Sequence, residues 1–179
     1  GGEGGGSPAE QLALDVRGRM LEAAAGFARG SVTARYGRRV YEYGVDMTWQ
    51  AEGETVLTLT APENVAGVSA RILEGETALE FDGTRVETGA LDDSGLSPLS
   101  GLPLMLEYAR TGWMAECGME ELAGEQVLRV DLRDPERSPG EGRECVLWFG
   151  TQTHALLRGE LSQDGFTVLR CEFSRCETE

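Results

Sequence analysis

Lysine is absent from this 179-residue chain. All 16 basic residues are arginine, set against 31 aspartates and glutamates. The formal net charge of −15 repels phosphate backbones and argues against a nucleic-acid partner. It also works against docking on anionic lipid headgroups through charge. Histidine occurs once, as His154 in a hairpin turn, and no Cys-x-x-Cys pair exists, so the usual ligand spacings of a zinc site are missing. No Gly-x-Ser-x-Gly elbow accompanies a serine, no Gly-rich loop leads from a strand into a helix, and Asp92-Asp93 lacks the flanking ligands of a calcium loop. No run approaches the roughly 18 unbroken apolar residues of a membrane-spanning helix. These absences point away from an enzyme and imply no metal and no cofactor.

Hydrophobic residues make up 40% of the chain, enough for one domain with a real core. The opening GGEGGGSP reads as a flexible Gly-rich tether over residues 1–7, with a single domain over 8–179. In a bacterial lipoprotein, such a tether comes directly after the lipidated cysteine once the signal peptide is removed. The four cysteines, Cys117, Cys145, Cys171 and Cys176, allow three pairings. Cys171 and Cys176 are close enough in sequence to suggest a small terminal loop, and free structural thiols are the other reading.

Ser7-Pro8-Ala9-Glu10 predicts a helix start, with Ser7 as cap and Pro8 at the first helical position. Leu12, Val16, Met20, Ala23, Ala24 and Phe27 continue as one apolar stripe, and Gly30 suits a C-terminal cap, so the spacing predicts a helix over 8–29. From Arg38 the period changes to two. Tyr41, Tyr43, Val45, Met47 and Trp49 alternate with Val40, Glu42, Gly44, Asp46 and Thr48, giving one buried and one wet face. Further strands are expected over 55–60, 66–74, 77–81, 84–88, 113–119, 125–133, 143–150, 155–162 and 166–174. Turns at Glu74-Gly75, Asp82-Gly83, Ala123-Gly124 and Asp164-Gly165 separate several of them. Residues 89–101 are turn-rich, and Leu102–Arg110 reads as a second helix with Pro103 near its first turn. Short connections favour an antiparallel meander. The polar loop at 134–142 is the expected mobile protrusion.

This order resembles the LolA-like superfamily of bacterial lipoprotein carriers, with its LppX and RseB groups. The matching segments are Leu59-Thr60-Ala61-Pro62-Glu63-Asn64, Phe81-Asp82-Gly83-Thr84, Leu99–Tyr108, Leu128–Leu132, Cys145–Phe149 and Leu156–Phe173. The resemblance spans residues 8 to 174 and includes no catalytic signature. It implies an α+β fold: a curved antiparallel sheet of about ten strands, a half-open β-barrel, with the N-terminal and mid-chain helices covering its concave face. The carrier of that superfamily holds its lid with an arginine inside the barrel. No arginine of this chain matches it, Arg35, Arg38 and Arg39 being the nearest in order.

The expected ligand-binding surface is the apolar side of the sheet: Trp49, Leu57, Leu59, Ile72, Phe81, Leu104, Trp113, Leu128, Leu147, Phe149 and Leu157. Two modest helices over so wide a curved sheet would leave room for a guest. The resulting expectation is an extracytoplasmic lipoprotein, anchored to the cell membrane by an N-terminal lipid, that binds a lipid or acylated protein. The alternative is an RseB-like module gripping an envelope protein at a sheet edge or through the 134–142 loop. Arg35, Arg38 and Arg39 are expected to balance neighbouring acids such as Glu42 and Asp46, the other reading being a grip on a headgroup or on a lipoprotein's acidic tether.

Overall fold

The computed structural model describes residues 6–81, 83–89 and 97–179. Helix α1 (Pro8–Glu22) starts as the sequence predicts: Pro8 occupies the first turn and the Glu10 N–H donates to Ser7 Oγ at 3.2 Å. Ala9, Ala13, Val16 and Met20 are its buried stripe. The helix stops at Glu22, well short of the expected residue 29. Strand β1 (Ala25–Tyr36) follows instead. Gly30 is therefore no helix cap. It lies mid-strand against the Glu172 backbone, where a Cβ would collide with that carbonyl oxygen.

Ten more strands complete the sheet: β2 (Arg39–Gln50), β3 (Thr55–Ala61), β4 (Ser69–Leu73), β5 (Glu76–Phe81), β6 (Thr84–Gly89), β7 (Met114–Leu122), β8 (Glu125–Arg133), β9 (Arg143–Gly150), β10 (Leu156–Gln163) and β11 (Phe166–Thr178). The order is β6-β5-β4-β3-β2-β1-β11-β10-β9-β8-β7, one eleven-stranded open sheet, antiparallel throughout. Two meanders meet at the centre, where β1 pairs with β11. The eleventh strand relative to the expected ten is β1. Asp82 and residues 90–96, with Asp92-Asp93, lie outside the described residues.

Helix α2 (Pro98–Thr111) begins earlier than expected. Its cap is Ser97, whose Oγ accepts from the Ser100 N–H at 3.1 Å, and Pro98 takes the first-turn position assigned to Pro103, which lies inside the helix. Both helices cover the concave face, packing most closely on β7–β11: α1 on β7 and β8, α2 on β9, β10 and β11.

All four cysteines are free. The small 171–176 loop does not form because both residues lie on β11, where five extended steps span about 16 Å, far beyond the reach of a disulfide. The 134–142 loop is exposed over 134–141 and hydrogen-bonded at its far end. The Gly142 N–H donates to Asp164 Oδ1 at 2.8 Å, the Asp164 N–H returns to the Gly142 carbonyl at 2.9 Å, and the Gly140 N–H reaches Glu144 Oε1 at 2.7 Å. The Gly142 N–H keeps the Asp164 carboxyl below the ordinary aspartate range.

Candidate functional site

Strand alternation turns one set of side chains inward. Cross-strand register places Val45 beside Leu59, Met47 beside Leu57, Leu128 beside Phe149 and Val130 beside Leu147. Of the expected ligand surface, Trp49, Leu57, Leu59, Leu128, Leu147 and Phe149 belong to one buried apolar cluster, with Ile72 and Leu104 packed against it. Phe81, the last residue of β5, and Trp113, just before β7, are exposed. Leu157 stands outside the cluster. The register shifts between Leu156 and Arg158, so Leu156 takes the inward place opposite Phe149.

Helix side chains occupy much of this face. Met105 of α2 lies over Gly159, where a Cβ would sit 2.6 Å from its sulfur. The Trp49 indole covers Gly26, and the Arg110 guanidinium stands 5.7 Å from the Trp49 ring centroid. A cleft of about 280 Å³ remains beside the C-terminal half of α1. Val16, Met20, Leu156 and Cys176 give it apolar walls, while Arg19, Glu22 and His154 line its polar margin. Its volume lies near the lower end of small-molecule sites.

The cover is pinned by polar contacts that sequence reasoning missed. Arg17 of α1 donates through Nε to the Ala109 carbonyl at 3.2 Å and through Nη2 to the Tyr108 carbonyl at 3.1 Å and to the Gly112 carbonyl. It thus satisfies three acceptors at the C-terminus of α2, where helix carbonyls lack intrahelical partners and a cation is favoured. Burial lowers the Arg17 pKa, yet guanidinium remains charged at any physiological pH. The second pin joins His154 Nε2 to Asp15 Oδ2 at 3.1 Å, with Arg19 Nε on the same carboxylate at 3.3 Å. His154 holds a left-handed backbone (φ 61°) in the β9–β10 turn. These contacts join elements far apart in sequence, so no local motif announces them.

The thiols on this face are structural in character. Burial pushes Cys145 and Cys171 far above the ordinary thiol range and raises Cys176 and Cys117 as well. A thiolate nucleophile is disfavoured at each. Among the described residues, no group of three or more His, Cys, Asp or Glu is placed to hold a metal ion.

No protein-family model and no curated protein matches the chain. Solved structures do. An uncharacterized conserved protein from Thermus thermophilus superposes with a TM-score of 0.56 at 12% identity, over 96% of this chain and 88% of its own. A putative outer membrane lipoprotein-sorting protein domain from Vibrio parahaemolyticus gives 0.51 at 12% identity, over 96% and 93%. The fold is LolA-like. A LolA superfamily protein from Nitrosomonas europaea aligns at a lower TM-score of 0.47 and 9% identity, over 96% and 93%. The LolA-like fold accounts for the open sheet with its two helices on one face. At these identities it speaks for the fold and not for any activity.

Proposed function

We propose that the chain is a cell-envelope lipoprotein, tethered through residues 1–7, whose single domain over 8–179 binds a lipophilic ligand or lipidated partner without catalysis. The observation that carries the reading is the concave face: a continuous apolar sheet surface under two helices that polar pins hold in place. A guest would enter at the cleft beside α1 and extend over Leu128, Leu147 and Phe149 as the helices lift. Each buried CH₂ of an acyl chain would contribute about 0.8 kcal/mol. Among the described residues, no helix is long and apolar enough to cross a membrane.

The test is native mass spectrometry of detergent-free protein together with titration of a fluorescent fatty acid. Saturable binding that weakens in Leu147→Glu is expected. Absence of both an acyl-bearing species and saturable binding would end the reading. A second reading, an envelope protein gripped at the open edge of β7, draws on that strand's position at the end of the sheet. Deleting 135–141 and mutating β7 with lipid binding intact would separate the two.

A further inference from the structure

We propose that the rim of the sheet carrying the β1–β2 hairpin docks on an anionic phospholipid bilayer. The hairpin outruns β3, which pairs with β2 only over Gly44–Trp49. On the other flank its tip, beyond Ala34 and turning at Gly37 (φ 65°), lies alongside the start of β11 at Phe166.

Its side chains are wrong for a tip exposed only to water. Tyr36 is 40% exposed, Val40 50% and Tyr41 38%. Phe166, 77% exposed, begins β11 at the same end of the sheet. The Tyr36 and Tyr41 rings lie 6.1 Å apart, and Tyr41 stacks on Tyr43 at 6.4 Å, so an aromatic row runs from the core margin to the tip. Tyrosine rings of this kind favour the headgroup layer, with an apolar body and a wet hydroxyl.

Charge marks the same place. Arg35, Arg38 and Arg39 have no hydrogen bond, ion pair or ring contact among the described residues. The expected pairing with Asp46 fails because Arg29 takes both its oxygens, at 2.9 and 3.0 Å. Glu42 engages none of the three. The guanidinium groups are left facing solvent. Strand direction puts the turns rich in glutamate, 52–54, 74–76 and 121–125, on the opposite rim. Twelve extended residues place those acids about 40 Å away, several Debye lengths at physiological salt. The net charge of −15 is thus unevenly spread: the tip itself carries three cations, while Glu63, Glu136 and Glu141 lie in other loops of the same rim. Acids of neighbouring loops on the same rim are partly occupied, Asp134 by Arg137 and Asp164 by the Gly142 N–H.

Vesicle flotation with phosphatidylcholine, with and without phosphatidylglycerol, tests the proposal. The wild type should float with the anionic vesicles and not the neutral ones, and high salt should release it. Replacing Arg35, Arg38 and Arg39 with Ser should weaken binding about fivefold per arginine. Tyr41→Ser with Phe166→Ser should weaken what remains. Matching circular dichroism and melting would show that the variants fold. Equal binding of wild type and the arginine variant, no preference for phosphatidylglycerol, or an acidic protein captured by the tip without vesicle binding would each overturn it. Fatty-acid binding by the arginine variant keeps this outcome separate from that of the interior surface.

Discussion

On the concave face, Leu57, Leu128, Leu132, Leu147, Leu161 and Leu169 lie wholly buried. Across the same strands, on the convex face, Arg170 meets Glu160 at 2.8 Å, Arg158 meets Glu172 at 3.0 Å and Arg71 meets Glu80 at 3.0 Å. Both faces are tidy, but they are held by different forces. The inner one removes apolar surface from water, and its strength grows with area. The outer one exchanges hydration for ion pairs at least partly open to solvent, each worth about 0–1 kcal/mol. Arg29, Arg71, Arg129, Arg158, Arg170 and Arg175 belong to that outer lattice, each paired with an acid of the same or a neighbouring strand. Stability therefore resides inside, and perturbations of the two faces should differ sharply in size.

Thiol chemistry gives the largest contrast. Cys145 and Cys171 are buried and far less acidic than a free thiol, whereas Cys117 is only half-buried beside the edge of the sheet. A disulfide reagent at mildly alkaline pH should modify Cys117 first. Cys145 and Cys171 should react only through global opening, slower by at least about a thousandfold for a domain of ordinary stability. Mass spectrometry of a time course reads this directly. Early labelling of Cys171 would mean that the inner face opens easily.

Leu147→Ala should remove about 2–5 kcal/mol, because Leu147 is fully buried and its methyl groups crowd Gly159 beneath Met105. Urea denaturation would show a lower midpoint with an unchanged slope. Arg170→Ala on the convex face should cost about 1 kcal/mol or less by the same measurement. Similar losses at the two sites would break the comparison. Arg17→Ala falls between them, at about 1–3 kcal/mol, since it removes a donor from three carbonyls at the end of α2, of which that of Tyr108 keeps the Gly112 N–H. Its hydrogen-exchange signature should be confined to α1 and α2. Arg17→Lys should recover only part of the effect, one ammonium being unable to reproduce the guanidinium fork.

How legible this was in the sequence differs by element. Strands β2, β5 and β8 to β10 were readable within a residue or two, because alternation on a half-buried sheet and Gly-bearing turns are local signals. Strand β1 was not. Its AGFARGSVTARY segment is poor in the branched residues that mark strands, and Ala23, Ala24 and Phe27 continue the helical spacing of α1. Only pairing with β2 and β11 makes it extended. The inward set was also largely legible, with Leu157 displaced by a register shift that no pattern announces. The Arg17 and His154 pins join segments more than ninety residues apart and leave no trace in spacing. The three tip arginines misled for the opposite reason: Asp46, the acid nearby in sequence, is already occupied by Arg29.

The smallest expected effects come from two aspartates with opposite responses to pH. Arg29, bonded to both carboxylate oxygens, holds Asp46 below the ordinary aspartate range. Its contribution is present above the unfolded value of about 3.9 and is lost as pH falls through the depressed folded value. Asp131 is raised, chiefly by desolvation, against the pull of Arg129. Arg129 Nε lies 3.1 Å from Asp131 Oδ1, but this buried oxygen has no aligned hydrogen bond. Ionised Asp131 thus penalises the fold at neutral pH, and the penalty lifts as pH drops through its raised folded value toward the unfolded one. Asp131→Asn should melt slightly higher than wild type at pH 7, with the gap closing on mild acidification. Asp46→Asn should melt slightly lower at pH 7, with its gap persisting until below about pH 4. Melting curves of both variants across this range give the sign of each. If Asp131→Asn lowers the melting temperature at neutral pH, the Arg129 contact outweighs desolvation, and the convex lattice contributes more than its exposure suggests.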